Sequence, residues 1–471
     1  MNQDGVPLCL DIIGTLTPAN IRHERSISAF KASPPLLGRL LHRWRANEPT
    51  ASRTREHEHA EARYLPFRTD LLQWLRQQHS SGQRLILVAD GDPQLAEQIA
   101  VHLGLFDEVI PTGAGGSAAE RKRHALVERF GEHGFDYAGS DPSDMIVWEA
   151  SRAALVVGDR SLGDSVGLRT RVLRVFESTK PTLRTWIKAI RLHQWVKNAL
   201  VFLPPLLGHR IAEPGMLLQG AMAFVAFGCC ASSVYVTNDL FDIAADREHP
   251  RKRHRPFATA QLSVRSGLYA GAILLLCAML LAAVIGWLYA LVLACYYIIT
   301  WSYSLLLKQI ALLDVMTLAG LYTLRIIAGA AATRIGLSFW LLAFSVFLFL
   351  SLGFVKRYAE LYDARKAAEL AGHVRGYDAD DLSLIMSFGT AAGYCAVVVI
   401  ALYINSADSI ALYHHHKTMW LICPLMLFWI SRVWMLTARG QMQDDPVVFA
   451  LGDRVSLLVL GALGLIVLLS I

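Results

Sequence analysis

A soluble α/β domain followed by an all-α polytopic membrane bundle of about nine transmembrane helices is the architecture this sequence predicts. Three observations carry it. The chain has 471 residues, too many for one ordinary domain, and 54% of them are hydrophobic, too many for an ordinary soluble protein. The apolar residues are unevenly spread, with mixed charge over residues 1–185 and long apolar runs between short polar loops from about Asn198 onward. The first part also alternates strand and helix patterns. The expected organisation is an α/β domain over 1–178, a linker and interfacial segment over 179–193 (Thr179, Lys180 and Pro181 mark the boundary), and a transmembrane domain over 194–471.

In the N-terminal part, Leu8 to Leu16 reads as an apolar strand ending in a turn at Gly14, and Arg84 to Ala89 as a second strand. Pro93 to Leu103 follows as an amphipathic helix, the alternation of an α/β domain. Asp4, Asp11 and Arg22 interrupt anything resembling an apolar signal stretch, so this domain is expected in the cytoplasm. The seven cysteines, Cys229 and Cys230 among them, have no metal-ligand spacing and form no recognisable disulfide framework; they read as small buried apolar residues. The net charge of +6 comes from basic residues beside membrane segments. Without an aromatic-interleaved basic face, nucleic acid is excluded, and anionic lipid and phosphate are the better partners.

A bilayer core needs about 20 apolar residues per helix. Candidate spans lie near 194–207, 216–237, 267–286, 287–304, 311–331, 338–355, 384–404, 418–437 and 455–471. The first is short and the third and fourth run together, which leaves eight as the alternative count. The loops at 238–266, 305–310, 356–383 and 438–453 hold 13 Lys or Arg, against three (Arg210, Arg334 and Lys417) in the loops opposite. By the positive-inside rule, the first set faces the cytoplasm of a bacterial inner (plasma) membrane. His414, His415 and His416 fall on the other side and read as a solvated loop.

After the second span, Asn238, Asp239, Asp242 and Asp246 form an N-D-x-x-D-x-x-x-D array. On a helix the three aspartates sit at i, i+3 and i+7, on one face within about two turns. A cation relieves their repulsion, and hard oxygen ligands at a membrane rim are what Mg²⁺ prefers when it also bridges phosphate oxygens. A solvated helix end accounts for carboxylates too, but ionisable groups at membrane depth are costly and usually functional. Arg251, Lys252, Arg253 and Arg255, between His249 and Pro256, form a cationic loop whose Arg forks suit phosphate oxygens. Membrane topology alone accounts for part of that charge.

A second polar cluster comprises Tyr303, Ser304 and Lys308, then Asp314 and Arg325. Asp314 and Arg325 lie in an otherwise apolar helix about three turns apart, too far to pair with each other. Each therefore needs another partner, which a substrate cavity would supply. Arg191, Lys197 and Asn198 at the first span, Lys356, Arg357 and Glu360 after the sixth, and Arg375, Gly376 and Tyr377 in the next loop complete the rim. Simple rim anchoring explains these as readily as substrate binding.

Together, Asn238-Asp239-x-x-Asp242-x-x-x-Asp246, Arg255-Pro256, Tyr303-Ser304-x-x-x-Lys308 and Asp314 resemble the UbiA superfamily of intramembrane prenyltransferases over roughly residues 185–471. The resemblance implies nine helices around a central cavity, with a polyprenyl chain in a lipid-open tunnel and its phosphate end meeting Mg²⁺ at the rim. By carry-over, Asp239, Asp242 and Asp246 hold the metal with Asn238 in support, and Asp314 joins the three aspartates as the catalytic set. Lys197, Asn198, Arg251, Arg255, Tyr303, Lys308, Arg325, Lys356 and Arg357 bind substrate phosphate. Two departures stand out: Asp314 is nearly alone where quinone-pathway members carry several acids, and Ala260 stands where a glycine commonly follows the Arg-Pro pair.

Gln194 to Asn198, His249-Pro250 and Lys356-Arg357 look more like one branch, the decaprenyl-phosphate phosphoribosyltransferase-like proteins. That likeness implies a polyprenyl phosphate acceptor and a phosphoribosyl diphosphate donor, which loses diphosphate from C1 of the ribose. Transfer of a polyprenyl group from its diphosphate to an aromatic acceptor is the alternative within the enzyme class, and a non-catalytic lipid-phosphate transporter the alternative outside it. Against transport, the aspartates cluster on one rim instead of lining a mid-membrane path. Homo-oligomers are left open by the sequence.

The N-terminal domain resembles haloacid dehalogenase-like phosphatases. Asp11 keeps the nucleophile position, and Lys122 and Asp144 match the lysine and a late acid. Ile13 replaces the acid/base aspartate, Ala89 the Ser/Thr, and Ser140 the first late acid. Loss of a proton-transfer carboxylate removes orders of magnitude of rate, so the resemblance implies a degenerate site without phosphatase activity, and a docking or regulatory role.

Overall fold

The computed structural model describes residues 5–32, 62–178, 180–366, 376–442 and 445–471; Arg375 and Thr179 lie outside the described residues. The chain divides into two compact units, one of residues 1–190 with 236–270, the other of residues 191–235 with 271–471.

In the first unit, six strands form one parallel sheet: β1 (Leu8–Asp11), β2 (Leu85–Ala89), β3 (Glu108–Pro111), β4 (Asp136–Gly139), β5 (Ala153–Gly158) and β6 (Arg171–Glu177). Their order is β3-β2-β1-β4-β5-β6. Strands β2 and β5, each flanked by strands on both sides, are continuous apolar runs because both faces are covered. Leu10, Leu85 and Leu87 enter one core with Leu71, Leu75 and Ile99, while Cys9, Ile86 and Val88 enter a second core with Tyr137, Trp148 and Val156. The helices are α1 (Ile21–Ala32), α2 (Thr69–Ser80), α3 (Pro93–Leu103), α4 (Ala118–Phe130), α5 (Met145–Ala150) and α6 (Arg160–Gly167). Helix α3 has the bounds its sequence predicts, because Asp92 caps it by accepting from the Leu95 amide and Gly104 stops it at a φ of 60°. The order of the sheet reverses at β1 and β4, so the crevice beyond their C-terminal ends lies at a topological switch point, where α/β folds bind ligands.

The same unit holds a smaller apolar cluster. Val236, Leu240, Ile243, Phe257, Leu262 and Val264 close over Ala189, with Ile27, Trp186 and Ile190 packed against them.

Among the described residues, seven helices are long and apolar enough to cross a membrane. They are α7 (Pro214–Phe241), α8 (Val264–Ile285), α9 (Trp287–Leu305), α10 (Leu313–Thr333), α11 (Phe339–Lys366), α12 (Leu382–Ile404) and α13 (Ile422–Ala438), the last preceded by a 3-10 stretch from His416. An eighth crossing exists only if α14 (Pro446–Gly452) and α15 (Arg454–Ser470), bent by 84°, act as one. Nine helices therefore overstate the described residues. The expected span at 194–207 is instead 3-10 turns over Leu192–Phe202 and a short helix over Leu203–Leu207 that begins at Pro204 and Pro205, too short for an α-helical crossing. The expected span at 455–471 starts abruptly at Asp453, whose carboxylate caps α15 by accepting from the Ser456 amide. In the second unit the 3-10 segment approaches α10 so closely that a Cβ on Gly329 would lie 2.1 Å from the Val201 carbonyl oxygen, which only glycine allows.

Candidate functional site

At the switch point of the sheet, three chain segments bring charge together. Asp11 ends β1, Lys122 lies on α4, and Asp144 follows β4 in a single 3-10 turn. Lys122 Nζ donates to Asp11 Oδ2 at 2.6 Å and to Asp144 Oδ1 at 2.8 Å, and the Ile12 amide donates to Asp11 Oδ1. All three side chains are buried. Burial, with the second carboxylate adding to it against the pull of Lys122, pushes the Asp11 carboxyl up to about 6. Burial works against the Lys122 ammonium, but its two anions outweigh that and raise it. Ser140 donates to the Ile13 carbonyl oxygen at 3.4 Å, and Ala89 and Ile13 offer no polar side chain.

The carboxylate array does not lie on one continuous helix. Helix α7 carries Asn238 and Asp239 and ends at Phe241; Asp242 leaves helical geometry, with φ −106° and ψ 11°, and Asp246 sits on a short helix over Ile243–Glu248. Across that break Asp239 and Asp246 converge on a single nitrogen: Arg255 Nη1 donates to Asp239 Oδ1 at 3.0 Å and to Asp246 Oδ2 at 2.7 Å. Both carboxylates are buried, and Asp242 is half-buried. Burial holds the Asp246 carboxyl above its usual range despite Arg255. Arg251, by contrast, is exposed. Among the described residues no group of three or more His, Cys, Asp or Glu side chains is gathered as a metal site. Asp239 and Asp246 nevertheless aim hard oxygens at one positive point, and that donor set fits Mg²⁺.

In the second unit, the buried charges predicted to need a substrate find protein partners instead. Asp314 pairs with Arg357 of α11 and accepts from Tyr377 Oη at 2.8 Å. Arg357 also pairs with Glu360 and donates to Tyr303 Oη at 2.8 Å. Arg325 donates to Asn198 Oδ1 at 3.1 Å, to the Leu321 carbonyl oxygen at 2.5 Å and to Tyr296 Oη at 3.2 Å. Its guanidinium also lies over the rings of Phe227, Tyr296 and Tyr322. Lys308 stands half-buried in the turn after α9.

Sequence reasoning missed one residue of this unit. Asp445, just before α14, accepts from Lys197 Nζ at 2.6 Å and Tyr322 Oη at 3.0 Å, with Lys356 Nζ at 3.6 Å. Burial opposes the Asp445 charge, but Lys197 and Lys356 outweigh it and hold the carboxyl well below the usual range. Burial and the neighbouring Lys356 bring Lys197 down to about 8, against the pull of Asp445. With Arg325 also acting on Lys197, cations outnumber the carboxylate, which leaves the cluster suited to an anionic group. Its only sequence signal is an aspartate before a proline that opens a helix.

The sequence pattern of the UbiA prenyltransferase family matches residues 201–467. The chain belongs to the UbiA prenyltransferase family. With seven or eight apolar helices of crossing length, this UbiA-family transferase is an integral membrane protein. It is 34% identical over 460 residues to the uncharacterized protein y4nM of Sinorhizobium fredii, covering 96% of this chain and 88% of that one. It is 32% identical over 277 residues to decaprenyl-phosphate phosphoribosyltransferase of Mycobacterium tuberculosis, covering 57% of this chain and 88% of that enzyme. A UbiA homolog from Archaeoglobus fulgidus, solved with GPP and Mg²⁺, is similar with a TM-score of 0.47 and 17% identity, covering 60% of this chain and 99% of that one.

Proposed function

We propose that this UbiA-family chain transfers the 5-phosphoribosyl group of phosphoribosyl diphosphate to a polyprenyl phosphate. The observation that carries the reading is a charge centre of opposite character in each unit, each taken by itself. Asp239 and Asp246 are buried carboxylates aimed at one cationic point, whereas Lys197, Lys356 and Arg325 surround a single carboxylate, Asp445. Similarity to decaprenyl-phosphate phosphoribosyltransferase supports the choice of donor and acceptor.

Asp239, Asp242 and Asp246, with Asn238, would hold Mg²⁺, which when bound neutralises diphosphate oxygens and makes diphosphate a better leaving group. Arg255 and Arg251 bind the departing diphosphate oxygens. Lys197 and Lys356 hold the lipid phosphate, with Asn198 and Arg325 orienting the Lys197 end of that cluster. The C1–O bond to diphosphate breaks, one oxygen of the lipid phosphate bonds to C1, and the electron pair leaves with diphosphate, so no base is needed. Asp314, Arg357, Tyr303 and Lys308 of the second unit belong to the substrate-binding set on the reading that substrate phosphate reaches them.

The test is diphosphate release by the purified protein in detergent with Mg²⁺. It is offered polyprenyl phosphate with phosphoribosyl diphosphate, and in parallel polyprenyl diphosphate with an aromatic acid. Release in the first mixture alone, lost in Asp242→Ala, is the expected result. Release in the second alone makes the chain an aromatic prenyltransferase; silence in both, with the variant unchanged, points to lipid binding without catalysis.

We read the parallel α/β domain as haloacid dehalogenase-like, cytoplasmic and without phosphatase activity. The tie of Asp11 to Lys122, the apolar Ile13 and Ala89, and the Lys and Arg asymmetry of the loops support this. Hydrolysis of a chromogenic phosphate by the full chain, abolished by Asp11→Ala, would overturn it.

A further inference from the structure

Helix α1 of the α/β domain makes two sets of charged contacts within the first unit. Arg22 Nη2 donates to Asp90 Oδ2 at 2.7 Å and to the Asp90 carbonyl oxygen at 2.8 Å, and Arg25 pairs with Asp92. Asp90 and Asp92 follow the C-terminal end of β2, the strand beside β1. Asp90 is further held by Arg121 and by Thr112 Oγ1, so α1 is moored to the edge of the sheet where Asp11 also stands.

Its other contacts reach the segment that bears the carboxylate array. Glu24 takes two hydrogen bonds from one guanidinium, Arg247 Nη1 to Oε2 at 2.8 Å and Nη2 to Oε1 at 2.9 Å. The two side chains are only 8% and 12% exposed, so this fork-to-fork pair is neither hydrated nor screened as a surface pair would be. Arg247 adjoins Asp246, and its Nε donates to the Ala258 carbonyl oxygen at 2.9 Å, three residues beyond Arg255. One guanidinium thus ties α1 to both ends of the excursion from Asp246 to Ala258 that brings Arg255 back onto Asp239 and Asp246. Ile27 of α1 adds apolar packing against the same segment, and His23 Nε2 lies 3.2 Å from Arg265 Nη2.

We propose that Glu24 is a positioning residue for the carboxylate array, and that the α/β domain, through α1, holds residues 238–258 in the form in which Asp239 and Asp246 converge. Glu24 touches neither metal nor substrate; it acts through Arg247. Its effect on catalysis rests on the reading that the array holds a divalent cation, whereas its effect on the segment does not.

Amide hydrogen exchange of the full chain in detergent, without added metal, reads the segment directly. Glu24→Gln keeps the size and removes the charge, and exchange over 238–258 is expected to quicken by at least about tenfold while β1, β2 and β4 keep their protection. Glu24→Asp, which restores the charge, is expected to recover most of the protection. Unchanged exchange in Glu24→Gln overturns the proposal, as does equal acceleration throughout the sheet, the mark of general loosening. A parallel Mn²⁺ titration followed by electron paramagnetic resonance separates this outcome from the metal reading. There Glu24→Gln should weaken binding about tenfold, as removal of a supporting contact does, and Asp242→Ala should abolish it. Equal Mn²⁺ affinity in Asp242→Ala and the unsubstituted protein sinks the metal reading and leaves the exchange result to decide on Glu24.

Discussion

Two carboxylates face one cation at two places in the first unit, and the two places differ in how open the cation is. In the sheet crevice Lys122 bridges Asp11 and Asp144 with its side chain only 6% exposed; after α7, Arg255 bridges Asp239 and Asp246 with 28% exposed. The lysine is a buried counter-ion, its ammonium shared by two carboxylates that are themselves at most 10% exposed. The arginine comes from a loop and reaches its aspartates from a more accessible side, so on the proposed reading it is the group that an incoming cation would displace, which would release its fork for phosphate oxygens. On that reading the same charge arithmetic gives a locked site in the crevice and an exchangeable one after α7.

The largest effect is expected at the array after α7. Asp246→Asn should lower diphosphate release by about 10²–10³-fold, the loss usual when one preorganised charge partner of a transition state is removed; retention of most of the rate would make the two sites equally inert. At the locked site, Lys122→Met leaves two buried carboxylates uncompensated and should destabilise the α/β domain by about 3–5 kcal/mol. Thermal unfolding of the full chain measures this, and release per folded molecule should stay near its original value.

Lys197 extends the comparison to a lysine whose charge is not locked. Its pKa, brought down to about 8, means that it is protonated below that value and neutral above. Diphosphate release should therefore fall about tenfold per pH unit above 8, and Lys197→Arg, charged throughout, should remove that fall. A smaller effect is expected from Arg255→Met, which removes the competing cation and should tighten Mn²⁺ binding a few-fold in the same titration. The smallest belongs to Ala260, whose φ of 54° lies in the left-handed region. Ala260→Gly should stabilise the first unit by about 1 kcal/mol, readable as a raised unfolding midpoint.

The sequence reading reached what depends on local pattern and missed what depends on distant return of the chain. Helix α3 and the seven long apolar helices follow from periodicity, caps and run length. The array was visible as spacing, but the helix break at Asp242, which makes Arg255 the meeting point, was not. Neither were the partners of Asp314, since Arg357 and Tyr377 lie 43 and 63 positions further along the chain. The false first span arose because apolar content near 194–207 outweighed Pro204 and Pro205. Ala260, in contrast, stands out in the sequence as a departure from a family glycine, and its positive φ explains why glycine is favoured there.

Lys197 and Asp445 stand 248 positions apart. At a synthesis rate of about 5–20 residues per second, roughly 10–50 s separate the appearance of the ammonium from that of its carboxylate. Through that interval Lys197 must wait without Asp445, joined for the last 89 residues by Lys356, so this cluster cannot settle its charges until almost the whole polypeptide has been made. A chain cut short before Asp445 would leave two ammonium groups without their shared anion, and such truncated products should be recognised and degraded by membrane quality control instead of persisting as partly folded transferase.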